Sequence, residues 1–408
     1  MDPLPPSSAG APIGAAVAPA PGMRAVVRRE VRRIATRRTN AFLALVLPLV
    51  GWVLLRSVFG AHVVRDLPII VIDGDQSVLS RRVVRAIDAT PVVRVAGQRA
   101  DATDAEGVLL RGDAYAVVVI PKGLQRAVAR HERAPVQLFT NGQLMLPASL
   151  IARDVRAAVG TISAELDVRS RVGRGESPMR ARISAEPIRS ELHPLYNPAL
   201  DYAAFLFLAL VPTLLHVFVI ALGVQAIGTE LKGGSAAEWV ECAGGNIVVA
   251  TAGKFLPYTL WFMALGILMT EGALHTLHLP MAGSRSVLYA GLLLLVLAYQ
   301  GIALVLVAFT ANFRLSSSLA AFIAGPAFAV AGVSFPRSAM PPAGRVWSAA
   351  LPLTHYLELQ TEQVLAGAPL RVSLPLLGIL AVVAVVLPAL SLRRLGFVAR
   401  TPAFWGRI

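Results

Sequence analysis

Six apolar runs, at residues 41–59, 203–226, 247–270, 287–311, 316–335 and 373–391, are each about long enough to cross a lipid bilayer. A helix rises about 1.5 Å per residue and the hydrocarbon layer is about 30 Å thick, so some 20 apolar residues make one crossing. Only 15% of the 408 residues are charged and the mean hydropathy is +0.64, which excludes an ordinary soluble protein of this size. The expected fold class is an α-helical polytopic membrane protein with six transmembrane helices.

The net charge is +14, and nearly all of the basic residues are arginine. In a soluble chain this would suggest nucleic acid. Here the basic residues flank apolar runs, so they set orientation and meet anionic membrane lipid, and no nucleic-acid partner is expected. Residues 1–22 are rich in Pro, Ala, Gly and Ser and read as a disordered cytoplasmic tail. Arg24, Arg28, Arg29, Arg32, Arg33, Arg37 and Arg38 follow, at a spacing that suits a helix along the inner membrane surface. The segment 23–59 is then this interfacial helix and the first transmembrane helix. The run Ala41–Phe59 exceeds a usual signal-peptide core and no small-residue cleavage site follows, so it reads as an uncleaved signal-anchor. The arginines place the N-terminus in the cytoplasm, and six crossings return the C-terminus there. Arg393, Arg394, Arg400 and Arg407 agree, in an expected cytoplasmic tail 393–408. The single cysteine, Cys242, permits no internal disulfide and no cysteine-based metal site.

Residues 60–198 hold no membrane-length run and alternate short β-rich segments with helical patterns. Strands are expected at Leu67–Ile72, Val92–Ala96, Tyr115–Ile120 and Pro135–Thr140. Helices are expected at Ser77–Thr90, with Ser77 as cap, at Asp101–Arg111, at Gly123–Arg133 and from Leu146 to about Arg174. This alternation predicts an inserted extracytoplasmic α/β domain. Asp73 and Asp75, around Gly74, suit a strand-ending turn or a cation. The Arg-rich segment 169–190 reads as a mobile loop. Residues 199–392 hold the other five membrane helices.

The stretch between the last two apolar runs is too polar to cross. It contains Gly332, Ser334, Phe335 and Pro336, then Met340, Pro341 and Pro342, a short spacer, and Leu351, Pro352, Leu353, Thr354, His355, Tyr356, Leu357 and Glu358, ending at Gly367. Prolines 336, 341 and 342 end the preceding helix, and the pattern after Pro352 is an amphipathic helix at the membrane surface that stops at Gly367 and Pro369. Order and wording resemble the signature before the last membrane helix of ABC-2-type transporter permeases, in the variant with one large extracytoplasmic domain between the first two membrane helices.

The loop after the second run also resembles that family. It carries Gly228, Thr229 and Glu230, then Glu238, Trp239 and Glu241. The resemblance implies that this region docks into the ATPase. The residues alone support a short helix with a polar face and an aromatic anchor, or an ordinary solvated loop. Gly233 and Gly234 depart from the pattern, because paired glycines weaken a continuous helix.

Other constellations are weaker. A phosphate-cradling loop needs Gly-x-x-x-x-Gly-Lys-Ser/Thr. Gly253-Lys254 has Phe255 after it and Val248 where the first glycine belongs, so no nucleotide site is expected and Lys254 reads as snorkelling from a helix end. Glu271, His275 and His278 share a helical face and could hold zinc, yet such clusters at bilayer ends are commonly interfacial residues, and no metal is assigned. His216, Gln300 and Asn312 are polar residues in or at the ends of spans, with His216 and Gln300 expected to face the bundle interior or a partner protomer, as helix-to-helix hydrogen bonds or as pathway residues. Gly325-Pro326 should kink the fifth span.

The resemblance implies the permease subunit of an ABC-type exporter for a drug, lipid or other amphiphile in a bacterial inner membrane. It implies a separate ATP-binding-cassette subunit that holds the ATP and Mg, dimerisation with itself or a similar permease, and a periplasmic adaptor. The chain itself would bind no cofactor and have no catalytic residue. Two alternatives are a receptor or scaffold whose outer domain binds a ligand or envelope partner, and an intramembrane enzyme using Glu271, His275 and His278.

Overall fold

The computed structural model describes residues 21–36, 42–60, 64–99, 102–130, 132–185, 195–197, 201–279 and 281–407. Most of the expected tail, together with Arg37, Arg38 and residues 186–190, lies outside the described residues. The chain divides into two compact units, Met1–His62 with Leu195–Ile408, and Val63–Pro194.

The first unit begins with α1 (Met23–Thr36), a π-helical turn (Phe42–Val46) and α2 (Leu47–Phe59). The first apolar run thus forms a helix of 13 residues behind a wound turn, and the Trp261 indole N–H holds that turn by donating to the Ala44 carbonyl at 2.8 Å.

The second unit runs β1 (Leu67–Asp73), α3 (Val78–Asp88), β2 (Val93–Arg99), α4 (Ala102–Arg111), β3 (Ala116–Ile120), α5 (Leu124–Ala129), β4 (Gln137–Thr140), α6 (Met145–Gly173) and α7 (Pro178–Ala185). The sheet order is β2-β1-β3-β4, parallel except for β4, which runs antiparallel to β3. Central β1 is apolar throughout because both faces are covered: Ile69 and Val71 pack with Val83, Ile87 and Ile151, and Ile70 and Ile72 with Val108 and Val117. Ser77 caps α3 by accepting from the Ser80 N–H at 3.0 Å. Asp73 accepts from the N–H groups of Asp75 and Gln76 and from the Ser80 hydroxyl, while Asp75 accepts from the N–H groups of Gly123 and Gln125. Asp73 therefore closes the turn after β1 onto the start of α3, and Asp75 knits that turn to the turn after β3. The expected loop is corrected over 169–185: α6 runs to Gly173, and α7 follows after a short turn.

The first unit resumes with α8 (Tyr202–Lys232), α9 (Ala236–Cys242), α10 (Ile247–Thr276), α11 (Arg285–Thr310), α12 (Phe313–Ala324), α13 (Ala327–Val330), α14 (Pro342–Ala350), α15 (Pro352–Thr361) and α16 (Leu370–Arg400). Among the described residues five helical segments are long and apolar enough to cross a membrane: α8, α10, α11, α12 with α13, and α16. Polar side chains start the helices: Asn246 accepts from the Val248 N–H, Ser284 from Val287 and Asn312 from Leu315. Asn312, expected at the end of a span, is thus the cap of the following helix. At Gly325-Pro326 the helix breaks, and it resumes as α13. The segment from 393 starts as a continuation of α16, which carries Arg393, Arg394 and Arg400 before a short turn.

Candidate functional site

At one end of the membrane unit, α1, α8, α9 and α10 meet around a group of buried charges. α1 is amphipathic in an unusual sense. Val26, Arg29, Glu30 and Arg33 recur at helical spacing, and this face, not a lipid surface, receives the charges of α8 and α10. Glu30 and Val26 are buried. α1 can lie this close because Gly253 has no side chain: a Cβ there would stand 3.0 Å from the Val26 Cβ and 3.2 Å from the Met23 carbonyl. The Gly253-Lys254 pair that fails as a phosphate loop is thus where two helices touch.

Glu230, near the end of α8, is fully buried. Its Oε1 accepts from Arg29 Nη1 at 2.6 Å and from Lys254 Nζ at 2.7 Å, its Oε2 from Arg29 Nη2 at 3.1 Å, and Arg33 and the Ser235 hydroxyl also bond to it. Lys254 donates as well to Glu30 Oε2 at 2.5 Å, and the Tyr258 hydroxyl donates to Glu30 Oε1 at 2.8 Å. Arg33 reaches the Thr229 hydroxyl at 2.6 Å. Lys254 is fully buried, which corrects the snorkelling expectation: its stem does not lead to water but into two carboxylates. The placement of Arg29 and Arg33 likewise corrects the picture of a helix whose arginines all meet the membrane surface. Two carboxylates and three cations leave the group with one net positive charge, and each carboxylate oxygen has at least one donor. Buried charges persist only on those terms.

The loop α9 closes over this group. Trp239 is fully buried, its ring lies 5.4 Å from Lys254 Nζ, and its N–H donates to the Ala250 carbonyl at 3.1 Å. Gly22 N–H bonds to the Cys242 carbonyl, Arg400 to the Gly245 carbonyl and Gly406 N–H to the Leu231 carbonyl, so the start of α1 and the segment after α16 brace the loop. Of the six residues expected to dock a partner, Gly228, Glu230 and Trp239 are inside and Thr229 is half-buried. Gly228 faces the Phe313 ring, where a Cβ would stand 2.6 Å from an aromatic carbon. Glu238 and Glu241, three residues apart on α9, are exposed. Gly234, with φ of +69°, ends the turn after α8, so the paired glycines separate two helices.

The connector is the second candidate region. The spacer after Pro342 is itself a helix, α14, and α15 is corrected from an amphipathic helix to one buried within the protein on nearly all sides. Pro352, Leu353, Thr354, His355 and Tyr356 are all buried, while Glu358 is exposed and meets Arg337 at 3.4 Å. Phe335, Pro336 and Pro341 are exposed, and Met340 is buried. His355 Nε2 lies 2.8 Å from the Ala349 carbonyl. Burial pushes the Tyr356 phenol above its usual range. Gln363, which motif reading passed over, is fully buried: its amide N–H group donates to the Ala368 carbonyl and the Ser373 hydroxyl, and its oxygen accepts from the Ser284 N–H. It ties the connector to the starts of α11 and α16. Gly367 ends the segment with φ of +63°.

His216 and Gln300 both face the bundle interior. The His216 ring lies 4.7 Å from that of Tyr299, and Gln300 accepts from the Thr259 hydroxyl at 2.9 Å, a bond between neighbouring helices. Glu271 does not join the histidines. It binds Arg285 at 2.8 Å and Tyr289 at 2.5 Å, and His278 lies beyond the end of α10 with φ of +51°. No group of metal-binding side chains occurs among the described residues.

Sequence reasoning missed Glu30, Ser235, Lys254 and Tyr258 as partners. One signal was present: Glu30 is the sole acid in a block of arginines, three residues from Arg33 on one helical face.

The family model described as ABC-2 family transporter protein matches residues 41–393. No curated protein matches the chain.

Proposed function

The chain belongs to the ABC-2 family of transporter membrane proteins, and from that premise we propose that it is the membrane-spanning half of an exporter driven by a separate ATPase. It is a multi-pass permease, and permeases of this family typically pair with an ABC ATPase and lack an ATPase domain of their own. The finer reading is that the chain moves an amphiphile, drug or lipid across a bacterial inner membrane. It works as a dimer with itself or a similar permease, with the α/β unit (residues 60–198) outside, both termini in the cytoplasm, and a periplasmic adaptor beyond. ATP and Mg then belong to the partner.

The observation that carries this reading is the buried charge group beneath α9. A push on an exposed loop does mechanical work only if the loop is stiff and joined to more than one span. Here α9 sits on Trp239, and beneath it Glu230 and Lys254 join α8 to α10 and both to α1. The docking role then divides by burial: Glu238 and Glu241 present carboxylates to the ATPase, and Glu230 and Trp239 pass the movement on.

The test is purification with the ATPase and measurement of its stimulated hydrolysis. Glu238→Ala with Glu241→Ala should leave the permease folded, with unchanged thermal unfolding, and should remove most of the stimulation. Full stimulation by this folded double variant would refute the docking assignment.

A further inference from the structure

The side of α1 turned away from the buried charges carries Arg24, Arg28 and Arg32 at steps of four, with Met23, Val27 and Val31 between them. All three arginines are exposed, and none has an acidic partner among the described residues. These side chains, with Leu256 of α10, edge a groove of about 720 Å³. Met23 and Leu256 also line a narrower slot of about 330 Å³ that runs between α10, α11 and α16. Its wall is almost wholly apolar, with Phe255, Leu297, Leu304 and Pro388. Three polar side chains interrupt it, Thr251, Thr259 and Gln300, and the Thr259 hydroxyl is engaged by the Phe255 carbonyl and Gln300. Thr251 is 6% exposed and Gln300 is 3% exposed, and neither the Thr251 hydroxyl nor the Gln300 amide nitrogen has a hydrogen-bond partner among the described residues. Gln300 uses only its oxygen, toward Thr259.

Unpartnered donors in an apolar wall are costly unless an acceptor comes from outside. The groove beside them is basic and open. We propose that groove and slot together hold one anionic glycerophospholipid from the leaflet that α1 faces. Its phosphate sits on Arg24 and Arg28, an acyl chain enters the slot past Met23 and Leu256, and its ester oxygen accepts from Thr251 at the entrance. The site lies on α1, α10, α11 and α16, away from the exposed carboxylates of α9, so it does not depend on the docking assignment above. A lipid seated there would press α1 against Gly253 and keep the buried charges closed.

The test is native mass spectrometry of the full-length chain in mild detergent, titrated with phosphatidylglycerol and with phosphatidylcholine of identical chains. The wild type should retain one phosphatidylglycerol per chain in preference to phosphatidylcholine. Arg24→Gln with Arg28→Gln should weaken phosphatidylglycerol roughly 30-fold, at about fivefold per arginine, and leave phosphatidylcholine unchanged. Ala252→Phe should close the slot and weaken both lipids, and Ala384→Phe, from the opposite wall, serves where the first variant does not fold. Equal retention of the two lipids by the wild type, undiminished phosphatidylglycerol binding in the double arginine variant, or undiminished binding in a folded slot-filling variant would each overturn the site.

Discussion

Ion pairs occur in both units of the chain, built from the same kinds of side chain, yet they answer to opposite physics. In the α/β unit, Arg82 with Glu165 joins α3 to α6, and Arg169 and Arg171 reach back one turn along α6 to Glu165 and Asp167, all with much of each side chain in water. In the membrane unit, Glu30, Glu230 and Lys254 are almost wholly withdrawn from solvent. Exposed pairs are screened and contribute little. Buried ones are expensive to form and more expensive to break, because removing one partner strands the other. The first kind decorates a fold that its sheet and two apolar clusters already hold. The second kind decides whether α1, α8 and α10 stay together.

The comparison is most exposed to change at Glu230. Glu230→Gln leaves Lys254, Arg29 and Arg33 with Glu30 alone, and a loss of about 3–5 kcal/mol is expected, read as a lower unfolding midpoint of the purified chain. Pairing it with Lys254→Met should return much of that loss; strict additivity would show that the two charges are not coupled. Tyr258→Phe removes one hydrogen bond to a buried carboxylate and should cost about 1.5–3 kcal/mol by the same measurement. Gly253→Val should force α1 away from α10 at about 1–3 kcal/mol, with faster hydrogen exchange confined to α1.

The smallest effect belongs to the other unit. Arg82→Ala should raise hydrogen exchange only in α3 and α6 and leave the global midpoint unchanged, and 1 M salt should erase the difference from the wild type. Glu165 supplies the matching pH test. The hydrogen bond from Arg82 holds its carboxyl below the usual carboxylate range. Its contribution is therefore present above that range and lost as pH falls through the lowered value, so exchange in these two helices should rise on acidification below about pH 4. A rise near neutral pH would point to another group.

Membrane-length runs, the α/β alternation and the position of every strand along the chain were legible from residues 67–140 and from the five later apolar segments, because those signals are local, whereas the order of the strands in the sheet was not. Period, length and turn chemistry act within a dozen residues, and hydrocarbon or a twisted sheet then enforces them. The cap at Ser77 and the break at Gly325-Pro326 are of the same kind. What the sequence alone left open was partner choice. Glu30 and Lys254 lie 224 positions apart, and nothing in either neighbourhood says that they bond. Lys254 looked like a snorkelling side chain, and α15 like a surface helix, since a polar residue near a helix end has the same sequence whether water or a carboxylate awaits it. Burial is a property of the packed bundle, and only the tertiary structure could decide which charges face each other and which, such as Glu238 and Glu241, remain outside for something else to meet.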